Sequence, residues 1–145
     1  PSISEVQYQF YNEEIALAEA IGVGIQPFKK EVFYQRTSVL GEEYMGEGCD
    51  VPFDQQWEVG FGTGPFSINN RYVTEDVPVG CHVYHELGKK FGVPTPIIDS
   101  MIVLGGVMNK ANYFETGLKL SELGIDHMDK EQLLAYLREG TYVEA

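Results

Sequence analysis

Thr95-Pro96-Ile97-Ile98-Asp99-Ser100-Met101-Ile102-Val103-Leu104-Gly105-Gly106-Val107-Met108 is the stretch whose reading decides the fold. Thr95 suits a helix N-cap, and Pro96, with its fixed φ and no N–H to leave unpaired, suits the first helical position. The residues that follow leave almost no polar face, and a helix apolar nearly all round has to be surrounded. It is therefore expected to be the central helix of the domain, with Gly105 and Gly106 thinning it where a neighbour crosses. It is shorter than the roughly 20 apolar residues of a membrane span.

The elements on either side are also helical in pattern. A helix beginning near Asp76-Val77-Pro78 buries Val79, Val83, Leu87 and Phe91 and stops at Gly92, before Pro94. Beyond the central helix lies a Gly117 to Gly124 connection, then a capping-box pair, Asp129 and Gln132. A short last helix through Leu133, Leu134 and Leu137 ends at Gly140. At the other end, Ser2 and Glu5 make a capping-box start to a helix reaching Gly22. Ile3, Val6, Phe10, Leu17 and Ile21 form one apolar stripe on it, and Tyr8, Tyr11, Ile15 and Ala18 a second. Two stripes imply burial on two sides, one in this domain's core and the other against a further domain or a second subunit. A second helix is expected from Pro27 through Phe28, Val32, Phe33, Val39, Leu40 and Tyr44, ended by Gly46-Glu47-Gly48. Cys49 to Asn70 reads as a long ordered loop. No run of alternating β-branched residues interrupts this pattern, so the expectation is an all-α, bundle-like single domain over residues 1–145 with one long loop.

Composition narrows the function. Twenty-two acidic residues against ten basic ones give a net charge of −12, and the lysine pairs Lys29-Lys30 and Lys89-Lys90 are far apart, so nucleic acid is not an expected partner. No membrane span or signal peptide is legible, and a soluble, cytoplasmic protein is expected. Cys49 and Cys81 lack metal-ligand spacing and are expected to be ordinary thiols; no metal is expected. Gly60-Phe61-Gly62-Thr63-Gly64-Pro65 lacks the strand, helix and acidic residue that a dinucleotide fingerprint requires, so no cofactor-binding residue is assigned in this chain.

The chemistry concentrates in Asn69-Asn70-Arg71-Tyr72-Val73-Thr74-Glu75-Asp76-Val77-Pro78. Arg71 presents a planar fork of donors that binds a carboxylate bidentately and suits a 2-oxo acid. Asp76, at or just before a helix N-terminus, would be held ionised there and could orient an imidazole. The plainer alternative is that Thr74 and Asp76 only cap a helix while Arg71 makes an exposed salt bridge.

Arg71-Tyr72-Val73-Thr74-Glu75-Asp76-Val77-Pro78, Leu87-Gly88-Lys89-Lys90-Phe91-Gly92-Val93-Pro94-Thr95-Pro96, and Gly117 with Leu120-Ser121-Glu122-Leu123-Gly124 resemble the C-terminal domain of the octopine/nopaline (opine) dehydrogenases. Asn12-Glu13-Glu14 and Ala20-Ile21-Gly22 are similar to that family's first helix, whereas Leu118 stands where the family usually has arginine. The resemblance implies a helical substrate domain of the 6-phosphogluconate-dehydrogenase C-terminal type. In such an enzyme an amino acid condenses with a 2-oxo acid, such as pyruvate, and the imine is reduced by NADH or NADPH. It further implies that Arg71 and Asp76 lie at the active site, with Glu75 a weaker substrate-binding candidate. The histidine that the aspartate orients, and the Rossmann domain that binds NAD or NADP, would lie upstream of Pro1, so the isolated chain is expected to be inactive. His82, His85 and His127 are read as surface or packing residues. Two other readings stay open: a noncatalytic helical module for oligomerisation or ligand binding, and the substrate domain of a 2-oxo acid reductase without amine condensation. A homodimer is expected because one apolar stripe of the first helix is surplus to a small domain's needs, although the further domain could cover it instead.

Overall fold

The structure, a computed structural model, describes residues 2–34 and 67–140. Every regular element among the described residues is helical, in agreement with the mainly-α expectation. In chain order they are α1 (Ser2–Ile21), α2 (Lys30–Phe33), α3 (Arg71–Thr74), a π turn (Val77–Cys81), α4 (His82–Phe91), α5 (Pro96–Asn109), α6 (Tyr113–Thr116) and α7 (Lys130–Glu139). The central helix of the sequence reading is α5, which packs against α1, the π turn, α4 and α6. Ile98 and Ile102 of α5 are buried with Leu17 of α1 and Tyr113 of α6, and these four residues form the main core. The two glycines of α5 mark close crossings. A Cβ on Gly105 would lie 3.1 Å from Cγ1 of Val77, and one on Gly106 would lie 2.7 Å from the carbonyl oxygen of Ala111.

In one respect α5 departs from expectation. Val103, Leu104, Val107 and Met108 are exposed, Val107 by 72%. The neighbours of α5 among the described residues cover one side of it only, so its apolar circumference is half used.

The N-terminus of α5 is satisfied from another helix. Thr95 occupies the N-cap position, but its hydroxyl donates to Asp99 at 3.0 Å. The amides of Ile97 and Ile98 donate instead to Oε1 and Oε2 of Glu13 on α1, at 2.8 and 3.0 Å. A buried carboxylate against two otherwise orphaned amides, at the positive end of the helix dipole, fixes α1 to α5. Further along, α4 stops at Gly92 with φ 72°, as its sequence predicts. The capping box of α7 is present, Asp129 and Gln132 each bonding the other's backbone amide at 2.9 Å. A second small core joins Ile21, Met128 and Leu133.

The second stripe of α1 is covered by the chain itself. Ile15 and Ala18 are buried. The ring of Phe33 lies 5.4 Å from that of Tyr8 and 4.8 Å from that of Tyr11, between centroids. Tyr11 Oη accepts the Phe28 amide at 2.8 Å, and the Tyr34 hydroxyl donates to the Ser4 carbonyl at 3.0 Å. One of the two apolar stripes is thus taken up in large part by residues 28–34. Glu5 bonds Lys30 of α2 at 2.7 Å, and α2 begins at Lys30 instead of Pro27. The expected continuation of that helix to Tyr44 and the loop from Cys49 to Phe66 lie outside the described residues.

Candidate functional site

The segment singled out for its chemistry folds differently from its reading in one detail. The helix starts at Arg71, capped by Asn70, whose Oδ1 accepts the Tyr72 amide at 3.2 Å. Asp76 therefore lies within a continuous helical path, at φ −62° and ψ −33°, and its side chain caps nothing. Pro78 explains the local geometry. Its nitrogen has no proton to donate to the previous turn, and the ladder slips to the wider π spacing. The His82 amide turns to the carbonyls of Val77 and Val79. The Pro78 carbonyl, released from the helix, accepts the Leu118 amide at 2.8 Å.

That same connection holds His82. The ring is buried, with Nδ1 2.8 Å from the Leu118 carbonyl oxygen and Nε2 3.2 Å from that of Phe114. Both ring nitrogens thus face carbonyl acceptors. Gly117 is glycine because the ring leaves no room: a Cβ there would lie 2.4 Å from His82 Cγ. His85 faces another way, with Nδ1 2.8 Å from Oδ1 of Asp99 and its ring 4.9 Å from Phe114 between centroids. A carboxylate–imidazole pair thus exists in the domain, made by Asp99 and not by Asp76.

A cavity of about 490 Å³ opens between α1 and the π turn. Asp76 lines it, with Gln7 and Glu14 of α1, Tyr72 of α3, Cys81 of the π turn and Met101 of α5. The predicted residues divide here. Arg71 and Glu75 pair with each other at 3.0 Å, both well exposed, and neither lines the cavity. Burial raises the Glu14 carboxyl above the ordinary carboxylate value, and a hydrogen bond from Tyr84 partly offsets this. The Tyr84 phenol is pushed up to about 12 by burial and by Glu14. The Cys81 thiol is pushed up to about 11 by burial, then by Glu14 and Asp76, so it carries little thiolate and is a poor nucleophile.

Sequence reasoning singled out neither Glu14 of the cavity wall nor Tyr84, which bonds it, and read Cys81 only as an ordinary thiol. A signal for Glu14 existed, since it stands four residues after Phe10 and three before Leu17, inside an apolar stripe. Among the described residues no cluster of three His, Cys, Asp or Glu side chains is arranged to hold a metal ion. The cavity does not fit a dinucleotide either, because Glu14 and Asp76 would repel its phosphates. The glycine run at 60–65 lies outside the described residues. No helix among the described residues is long and apolar enough to cross a membrane.

Residues 1–109 match the alpha-helical domain of the NAD/NADP octopine/nopaline dehydrogenases. The chain is also 27% identical, over 128 residues, to the opine dehydrogenase of Arthrobacter sp. (strain 1C), a match covering 86% of this chain and 33% of that protein. It therefore spans about a third of the length of that relative. No solved structure matches it.

Proposed function

Since the chain belongs to the octopine/nopaline dehydrogenase family, as its alpha-helical domain, we propose that it is the substrate-binding part of an enzyme that joins an amino acid to a 2-oxo acid. A separate nucleotide-binding domain would hold NADH or NADPH, which supplies hydride to the imine. In this reading Arg71 receives the carboxylate of the 2-oxo acid. Its pair with Glu75 is exposed and worth no more than about 1 kcal/mol, so a substrate carboxylate can displace it. Glu75 then serves to hold the guanidinium extended between turnovers. Asp76 faces the reaction space from the cavity wall and orients a histidine contributed by the upstream part of the enzyme, keeping the imidazole fit to exchange a proton with the condensing amine.

The observation that carries the reading is that Asp76 lines the cavity between α1 and the π turn. The test is oxidation of NADH and NADPH by the full-length gene product, given pyruvate and a panel of amino acids, together and singly. Oxidation that needs both partners supports the opine reaction. Oxidation with the 2-oxo acid alone replaces it by a simple reductase. None with any pair favours a noncatalytic module, a reading that draws on the exposed apolar face of α5. That face would equally suit a nucleotide-binding domain or a second copy in a homodimer. A cytoplasmic location goes with the proposed cofactor.

A further inference from the structure

The Asp76 carboxylate caps no helix end, and it reaches the cavity wall through the course of the backbone at the head of the π turn. Its aim therefore depends on what holds the turn. On one side Val77 packs into α5 at Gly105, where an added Cβ would lie 3.1 Å from Val77 Cγ1. On the other, the Leu118 amide donates to the Pro78 carbonyl at 2.8 Å. Pro78 opens the ladder, and this bond keeps its carbonyl from rejoining it. Were the ladder to tighten to α spacing with the sequence unchanged, Asp76 would turn about the helix axis by roughly 100° relative to α4.

Leu118 is held in turn by a ring. His82 is 2% exposed, with Nδ1 2.8 Å from the Leu118 carbonyl oxygen and Nε2 3.2 Å from that of Phe114. The connection sits directly on it, since a Cβ on Gly117 would fall 2.4 Å from His82 Cγ. An apolar side chain of similar size would fill this space without the desolvation cost of an imidazole. What the imidazole adds is direction: two nitrogens of one rigid ring face two carbonyls of one short segment. We propose that His82 is a positioning residue. By holding the Phe114–Leu118 connection against the π turn, it keeps that turn wide and Asp76 aimed into the cavity.

The proposal rests on the reading of Asp76 as an active-site carboxylate, and two measurements on the full-length gene product keep the two apart. Hydrogen exchange reads the strap without turnover. In His82→Leu the Leu118 amide is expected to exchange at least about tenfold faster, while the Ile102 amide in the middle of α5 stays as it is. A Leu118 amide as protected as in the native protein would overturn the proposal. Two-substrate kinetics read the aim of Asp76. His82→Leu should lower kcat by about tenfold or more and change each KM by less than about twofold. In an Asp76→Asn background the same substitution should cost nothing further, because its effect passes through that carboxylate; equal losses in both backgrounds would reduce His82 to packing. His82→Asn, whose amide nitrogen takes the place of Nδ1 opposite Leu118, should recover most of kcat, and His82→Gln, which reaches only the Phe114 side, should recover less. The reverse order would overturn the strap even where His82→Leu does not fold. Loss of Leu118 protection in a full-length protein that oxidises no cofactor with any substrate pair would keep the strap and remove the opine reading. Normal kcat in a variant whose Leu118 amide exchanges freely would keep the opine reading and overturn the positioning.

Discussion

Arg71 and Asp76 are near neighbours in sequence and occupy different surroundings, one paired with Glu75 in solvent and the other on a cavity wall. Their proposed roles should separate accordingly. In the full-length enzyme Arg71→Ala is expected to raise the KM for the 2-oxo acid by about tenfold or more while also lowering kcat, whereas Asp76→Asn should act mainly on kcat and alter its pH profile. Steady-state kinetics with each substrate varied in turn would check both; unchanged constants for either variant would remove that residue from the site. The segment containing these residues was legible because arginine and two acids within a few positions of a helix start are chemically conspicuous. Glu14 was not, since a single acid in an apolar stripe reads equally well as a surface position until its neighbours are known. His82, read as a surface or packing residue, is buried, and its effect on Gly117 yields a sharper prediction. Gly117→Ala puts a methyl group into the imidazole, so a loss of roughly 1–3 kcal/mol is expected in urea unfolding.

Among the elements, α5 is the best case of sequence dictating structure: its proline start, its paired glycines and its buried isoleucines all behave as read. What the sequence concealed is that its cap comes from Glu13, some eighty residues earlier, because a tertiary cap leaves no local spacing to recognise. Glu13→Ala should therefore do more damage than the loss of an ordinary cap. It leaves two amides buried without acceptors, and a loss of about 2–3 kcal/mol is expected in the unfolding free energy. Glu13→Gln, keeping one acceptor oxygen, should lose roughly half as much. A shift of the urea midpoint below that of Gln for Ala, at constant slope, is the expected pattern. The helix start within the Arg71–Pro78 segment was misread for a related reason. Pro78 looks like a first-turn residue, but Asn70 had already capped a helix upstream, and the chain absorbs the proline by widening to a π turn instead of starting again.

At the scale of the molecule, the helical class and the order of elements followed from periodicity, while the coverage of surfaces did not. One stripe of α1 was expected to seek a partner, and the Tyr8-Tyr11 stripe is covered largely by residues 28–34; the outer face of α5 was expected to be buried and is exposed. Periodicity identifies which faces are apolar but not which neighbour arrives to cover them. The cavity also gives the whole domain a pH signature. Because the folded state raises the Glu14 carboxyl, it binds that proton more tightly than the unfolded chain does. Stability should therefore fall as pH rises from the usual carboxylate range through the raised value, and stay lower above it. Glu14→Gln should flatten this part of the profile and gain on the native protein as pH increases. Urea midpoints of the two proteins at a series of pH values would show this, and parallel curves would mean that Glu14 is not perturbed by its surroundings.

The π turn has a bearing on the genetics of the domain. It holds one residue more than an ordinary helical turn, so losing one codon between Val77 and Cys81 would narrow the turn to ordinary helical spacing and leave the flanking helical segments in phase. Asp76 would keep its facing towards the cavity, and the carbonyl of residue 78 would return to the helical ladder and release the Leu118 amide. A single-residue deletion here is thus the kind of length change that the helical path can absorb, and its cost should fall on the anchorage of the Gly117–Leu118 connection.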